Sequence, residues 1–300
     1  MAWSALPWFP LSVRECEQHP SPLYSRGGAK TPHTTDLASP LDIFMTTICL
    51  CAIFRNEANN VQRCLDAAAP IIDYVSICDT GSTDNTAVLI EDWGRRRGIP
   101  TRIHSEPFRD FGHNRTRSVD LARQTFPAAD YLLLLDADMV LKVEPDWCKD
   151  CLTADHYLVR QVNPFIEYWN TRLVRAALPW RCVGVTHEYW ECPEAGDRER
   201  LNTLWFDDRG DGGYKADKFT RDKRLLTATL EDPHTPAHLR TRYLFYLAQT
   251  YRDLNEHQVA LEWYGQRVAA GGWAEEVYVA QCERAYVSRE AGTGQSDPLF

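Results

Sequence analysis

The chain has 300 residues, of which 44% are apolar and 25% charged, and carries a formal net charge of −9. Such a composition suits one large globular domain or two smaller ones with a sizeable core. The acid excess argues against a general nucleic-acid binder, and no run of about 18 apolar residues offers a membrane span.

The N-terminus, "MAWSALPWFPLSV", lacks a basic leader and is interrupted by prolines, so it does not read as a secretion signal. A cytoplasmic location, with reduced thiols for the ten cysteines, is therefore expected. Residues 1–44 hold six prolines and little apolar periodicity, which predicts a disordered or loosely attached arm. Met45, where a β-rich run begins, is a candidate for the native start.

From 46 to about 140 strands and helices alternate. The segment 46–53, "TTICLCAI", predicts a buried strand, and 57–68, "EANNVQRCLDAA", an amphipathic helix. Strands are expected at 72–78, 101–106 and 130–138, with helices at 84–98 and 114–126 between them. This alternation implies a parallel sheet covered by helices, whose ligands bind at the carboxyl ends of the strands. A strand-rich stretch follows at 155–162, 168–175 and 181–190. Residues 194–218, "EAGDRERLNTLWFDDRGDGGYKADK", are charged and Gly-rich and predict a long covering loop. Helical periodicity begins at about 219. There Leu244, Leu247, Ala248, Tyr251, Ala260 and Tyr264 fit one 34-residue tetratricopeptide-like unit, from which Arg267 and Gly272 depart. One such unit cannot bury its face alone, so these helices must pack on the rest of the chain or continue elsewhere. The expected organisation is an arm over 1–44, an α/β domain over 45–218 and a helical module over 219–300.

Acids terminate the strands. Asp136 and Asp138 end one strand two residues apart, so in an extended chain they face the same way. Such a pair makes a hard-oxygen site for Mg²⁺ or Mn²⁺ and, through the metal, for phosphate. Asp79 ends another strand and could accept from a base N–H or from ribose hydroxyls. Gly81 and Ser82 make the turn, and Asp84 caps the next helix. Alone, each motif reads as a solvated strand end or a capped turn. Together on one sheet they favour a nucleotide-diphosphate and metal site.

Three segments, "IFRNEANNVQRCL", "DTGSTDNT" and "LLLDADM", resemble in order and spacing those of the family-2 glycosyltransferases with the GT-A fold. Later segments, "EPFRDFGHNRTRSVDLA", "GVTHEYW", "KFTRDKRLL" and "GGWAEEVYVA", resemble a bacterial branch with C-terminal tetratricopeptide-like helices that includes bacteriocin S-glycosyltransferases. The resemblance implies that Glu57 and Asp79 contact the nucleoside, Asp136 ribose or metal, and Asp138 the metal. It implies His187 as a further metal ligand, with Glu188 beside it. Thr80 stands where many relatives have a second acid. Asn114-Arg115-Thr116 keeps the arginine of an Ala-Arg-Asn segment, so Arg115 joins the nucleotide-sugar residues.

Glu188 could act as general base of an inverting transfer or hold a donor hydroxyl. Asp207, Asp208 and Asp211 compete for the base role. Arg221, with Lys218, Lys223 and Arg224, could stabilise a departing diphosphate or form a solvated helix start. Cys148 and Cys151 could be half of a zinc site completed by Cys182 and Cys192, whereas Cys49 and Cys51 share one strand face as core thiols. The sequence thus predicts a metal-dependent transfer from a nucleotide-diphospho-sugar, UDP-linked, to a protein, peptide or saccharide acceptor, with inversion. A sugar-phosphate nucleotidyltransferase would need a Gly-rich loop that Ala52-Ile53-Phe54-Arg55 lacks. The remaining alternative is a tetratricopeptide-type adaptor with a vestigial nucleotide-sugar domain.

Overall fold

A computed structural model describes residues 45–212 and 218–290; the arm expected over 1–44 lies outside the described residues. The first strand, β1 (Ile48–Phe54), reads as an unbroken apolar run because both its faces are covered. Alternate residues serve different layers. Ile48 and Leu50 join a core with α1 (Val61–Ala68) and α2 (Thr86–Arg97). Cys49 and Cys51 face α3 (Phe111–Thr125) as the buried core thiols expected for them. With β2 (Tyr74–Asp79), β3 (Thr101–Ser105) and β4 (Tyr131–Leu134), β1 forms the parallel half of the sheet, in the order β3-β2-β1-β4. Gly98, at φ +67°, ends α2 in the left-handed conformation that lets the chain turn into β3.

The second half is mixed. β7 (Glu167–Arg175) pairs antiparallel with both β4 and β6 (His156–Val162). Beyond β6 come β10 (Arg198–Asp208) and the edge strand β5 (Met139–Val143). β10 corrects the loop expected over 194–218. Its Leu204 and Phe206 are fully buried while Trp205 and Asp207 face outward, and an irregularity between Leu201 and Trp205 interrupts that alternation. The run 181–190, read as one strand, is a two-stranded ribbon, β8 (Arg181–Val183) and β9 (Tyr189–Glu191), turned by residues 184–188. Gly184 makes that turn at φ +116°.

Four helices follow: α4 (Lys218–Glu231), α5 (Ala237–Asp253), α6 (His257–Ala270) and α7 (Ala274–Glu290). They share a core in which Leu226, Leu247, Ala260 and Tyr264 are fully buried. Arg267, a misfit by pattern, is buried there too. Its guanidinium donates to Glu276 Oε2 at 2.8 and 2.6 Å and to the Gly271 carbonyl at 2.7 Å, so its charge is paired rather than stranded.

Cys148 and Cys151 are joined as a disulfide with Cα atoms 5.4 Å apart. This overturns both the zinc alternative and the expectation of reduced thiols for that pair. Cys182 is buried away as a free thiol. No helix among the described residues is long and apolar enough to cross a membrane.

Candidate active site

The turns after β1 and β2 are built as one unit. Asn56 adopts the left-handed φ of +55°, which Asn tolerates better than most residues. Its N–H donates to Ser82 Oγ at 3.0 Å, and its side-chain oxygen accepts from the Thr83 N–H at 2.7 Å. The Glu57 N–H donates to Thr86 Oγ1 at 2.7 Å, and the Ala58 N–H to Asp84 at 3.1 Å. Asp79, almost fully buried, accepts from the Gly81 and Ser82 N–H groups at 2.8 and 2.7 Å. The acid, the Gly-Ser turn and the second acid thus fix one another's geometry.

Beside this unit a cavity of about 360 Å³ opens at the ends of β1, β2 and β3, within the size range of small-ligand pockets. Arg55, Thr80, Gly81 and Ser105 line it from the sheet, and Arg221 and Arg224 from α4. Arg221 lies 4.8 Å from the ring centroid of Phe111 and donates to Asp222 at 3.2 Å.

The sequence predicts that Asp136 and Asp138 extend a strand over 130–138; the structure corrects this. β4 stops at Leu134, and both acids lie in the turn before β5. They have separate surroundings. Arg115 Nη2 approaches Asp136 Oδ1 at 2.7 Å, and Arg172 Nη1 approaches Oδ2 at 3.1 Å. Burial opposes the Asp136 charge, but Arg115 and Arg172 outweigh it and lower its pKa to about 2. The Arg115 Nε donates to Glu188 Oε1 at 2.7 Å, so one guanidinium bridges Asp136 and Glu188. Burial also works against the Arg115 charge, yet those two carboxylates raise its pKa above the ordinary value.

Asp138 belongs to a second acid group. A Cβ placed on Gly212 would lie 3.1 Å from Asp138 Oδ2 and 3.3 Å from Glu57 Oε1, so both carboxylates approach the backbone there. Asp211, one residue earlier, is gripped by Arg63 at 2.7 and 2.9 Å. Asp208 closes β10 nearby; burial and then the Asp138 charge raise its pKa. Asp207 instead pairs with Arg209 at 2.7 Å.

His187 lies against the helices. Its ring stacks on Tyr246 of α5, centroids 3.8 Å apart and planes 3° from parallel. Burial, followed by the charges of Lys218 and Arg242, lowers its pKa to about 3. Among the described residues no three His, Cys, Asp or Glu side chains are arranged to hold a metal ion.

Sequence reasoning missed Arg172. A charged residue amid the buried stretch of β7 is the signal that could have found it, because such a charge is buried only with a partner. Nothing local to Gly212 marks its approach to Asp138 and Glu57.

Residues 49–159 match the family model described as Glycosyl transferase family 2. A TPR repeat-containing protein of Synechococcus elongatus is 31% identical over 100 residues, 33% of this chain and 22% of that protein. Among solved structures, S. aureus TarS superposes with a TM-score of 0.46 at 12% identity, over 85% of this chain and 56% of that one. The TarS 1–349 fragment in complex with UDP-GlcNAc gives 0.42 at 11% identity, over 83% and 93%. The chain therefore spans about a fifth of the curated relative it matches and just over half of TarS. The family-2 match runs from β1 into β6, across the strand ends that carry Glu57, Asp79, Asp136 and Asp138. The half of the sheet under that match, β3-β2-β1-β4, is parallel and flanked by helices on both faces.

Proposed function

We infer that the chain transfers a sugar from a nucleotide-diphospho-sugar, UDP-linked, to a protein, peptide or saccharide acceptor with inversion. The observation that carries this reading is the Arg115 bridge between Asp136 and Glu188, at the carboxyl ends of parallel strands and within the family-2 match for Arg115 and Asp136. The cavity takes the nucleoside, with Arg55, Thr80 and Gly81 on its sheet side and Arg221 on its helix side; Asp79, which holds the Gly81 turn, and Glu57 are the acids that would reach the nucleoside from beside it. Asp136, held ionised by two guanidiniums, accepts from sugar hydroxyls. Glu188, oriented by Arg115, removes the acceptor proton as the acceptor oxygen or sulfur attacks the anomeric carbon.

A divalent cation, Mn²⁺ or Mg²⁺, fits the chemistry of the Asp138 group. Two hard carboxylates, Asp138 and Glu57, approach one point beside Gly212, and the like charge of Asp138 acting on Asp208 is what a cation relieves. Asp138 and Asp208 would hold the ion, and His187 is a further candidate, because an imidazole stacked by its face still coordinates through its in-plane nitrogens. When bound, the ion would neutralise the diphosphate of the leaving nucleotide. A thermal-shift panel of UDP-, GDP- and TDP-sugars, with and without Mn²⁺, tests the reading, since a ligand of the folded state must raise the melting temperature. The UDP series with Mn²⁺ should give the largest rise. No rise with any nucleotide sugar would remove the proposal.

A further inference from the structure

The segment 184–188, which carries Glu188, is held from two sides. From α3, the Phe111 N–H donates to the Val185 carbonyl at 3.1 Å and the Gly112 N–H to the Gly184 carbonyl at 2.9 Å. There is no room for a side chain at this contact, because a Cβ on Gly112 would lie 2.4 Å from that carbonyl. From α5, Tyr243 Oη accepts from the Val185 N–H at 3.1 Å, and Arg242 Nη2 donates to the His187 carbonyl at 2.9 Å. Tyr246 stacks flat beneath the His187 imidazole, and Arg242 in turn lies 4.9 Å from the Tyr246 ring centroid. His187 has φ +52°, a left-handed conformation that a non-glycine residue keeps only when its surroundings over-determine it. The next residue is Glu188, whose carboxylate meets Arg115 at 2.7 Å.

We propose that Arg242 and Tyr246 of α5 are positioning residues for Glu188. By holding His187 in its left-handed turn, they set where the Glu188 carboxylate stands against Arg115 and the acceptor. The helical module is then part of the catalytic apparatus rather than an appendage. The proposal rests on Glu188 being the general base, as inferred above. The Tyr246–His187 stack fixes a ring orientation, and the Arg242 bond fixes a carbonyl. Together they define the residue before Glu188 in both side chain and backbone. Misplacing a catalytic group by about 1 Å can cost about 100-fold in rate.

The test uses the full chain with Tyr246→Leu, Tyr246→Phe, Glu188→Gln and the Tyr246→Leu/Glu188→Gln double variant. Turnover is read as UDP release from UDP-N-acetylglucosamine and UDP-glucose in turn, with water as acceptor, alongside UDP affinity. Tyr246→Leu should lower kcat about 10- to 100-fold with UDP affinity within twofold of wild type, and Tyr246→Phe, which keeps the stack, should restore it. Because Tyr246 acts through Glu188, Tyr246→Leu should add little to the loss already caused by Glu188→Gln. Multiplying losses would overturn the proposal. Amide hydrogen exchange reads the positioning without turnover. Peptides covering 184–188 should exchange faster in Tyr246→Leu, while those covering β1, β2 and α6 stay unchanged. Unchanged exchange at 184–188, or acceleration throughout the chain, would equally overturn it. Wild-type kcat in Glu188→Gln would instead remove the base assignment and leave the exchange result to judge the anchoring on its own.

Discussion

Asp136 and Asp138 are two residues apart, yet their neighbours give them different work. Asp136 has a guanidinium on each oxygen, which keeps it ionised and leaves it suited to accept hydroxyls. Asp138 faces Glu57 across Gly212 and electrostatically opposes Asp208, which suits a cation. Asp138→Asn should therefore abolish Mn²⁺-dependent binding of UDP with the fold intact, measured by calorimetry with and without Mn²⁺. Wild-type Mn²⁺ dependence in that variant would place the ion elsewhere. Gly212→Ala probes the same spot from the backbone. Its new methyl would stand 3.1 Å from Asp138 Oδ2, closer than the carboxylate can stay. A fall in Mn²⁺ affinity on the order of tenfold is expected, as for other changes next to metal ligands, with the melting temperature nearly unchanged. Equal affinity would mean that the carboxylate moves aside freely.

Among the elements, β10 and α5 decide most. The sequence predicts a loop at β10 because 194–218 is charged and Gly-rich. Leu204 and Phe206, inserted among the core residues, and Leu201, packed against them, make it a strand. Its position between β6 and β5 brings Asp208 to the acid group. α5 and α6 follow the apolar spacing visible in the sequence, and Leu247 is completely buried between them. Leu247→Ala should cost about 2–5 kcal/mol of stability, the usual range for a cavity left by a buried leucine. A thermal or chemical melt checks this, and a variant as stable as wild type would show that the helices repack without it.

At the scale of the whole molecule, stability should depend on pH through His187. Its folded pKa is about 3, below its ordinary value of 6.5. Between those values the unfolded chain takes up the proton and the folded chain does not. The contribution is therefore complete above about pH 6.5 and is lost progressively as pH falls towards 3. His104 and His156 are also lowered, chiefly by burial, and act in the same direction. Asp136, lowered to about 2 from its ordinary 3.8, contributes fully above that ordinary value and loses the contribution progressively as pH falls from there to about 2. The melting temperature should thus fall from pH 7 to pH 5, and His187→Phe, which keeps a ring over Tyr246 but cannot titrate, should fall less steeply. Identical slopes would mean that His187 charges freely in the folded protein.

The sequence by itself determined the alternation of strands and helices up to β4, the doubly covered β1, the acids at the strand ends, and the apolar spacing of α5 and α6. Each is a local pattern, set by residues within a few positions of one another, and so is legible in a short window. Tertiary structure alone decided that Arg172 clamps Asp136 from 36 positions away, that Gly212 closes on Asp138 and Glu57, and that His187 lies on Tyr246. It also decided that the Asp-x-Asp segment turns before β5 instead of extending β4. Those arrangements depend on which distant surfaces meet when the core closes. A charge in the middle of a strand or a histidine after a turn is costly until its partner arrives, and the sequence around it does not name that partner.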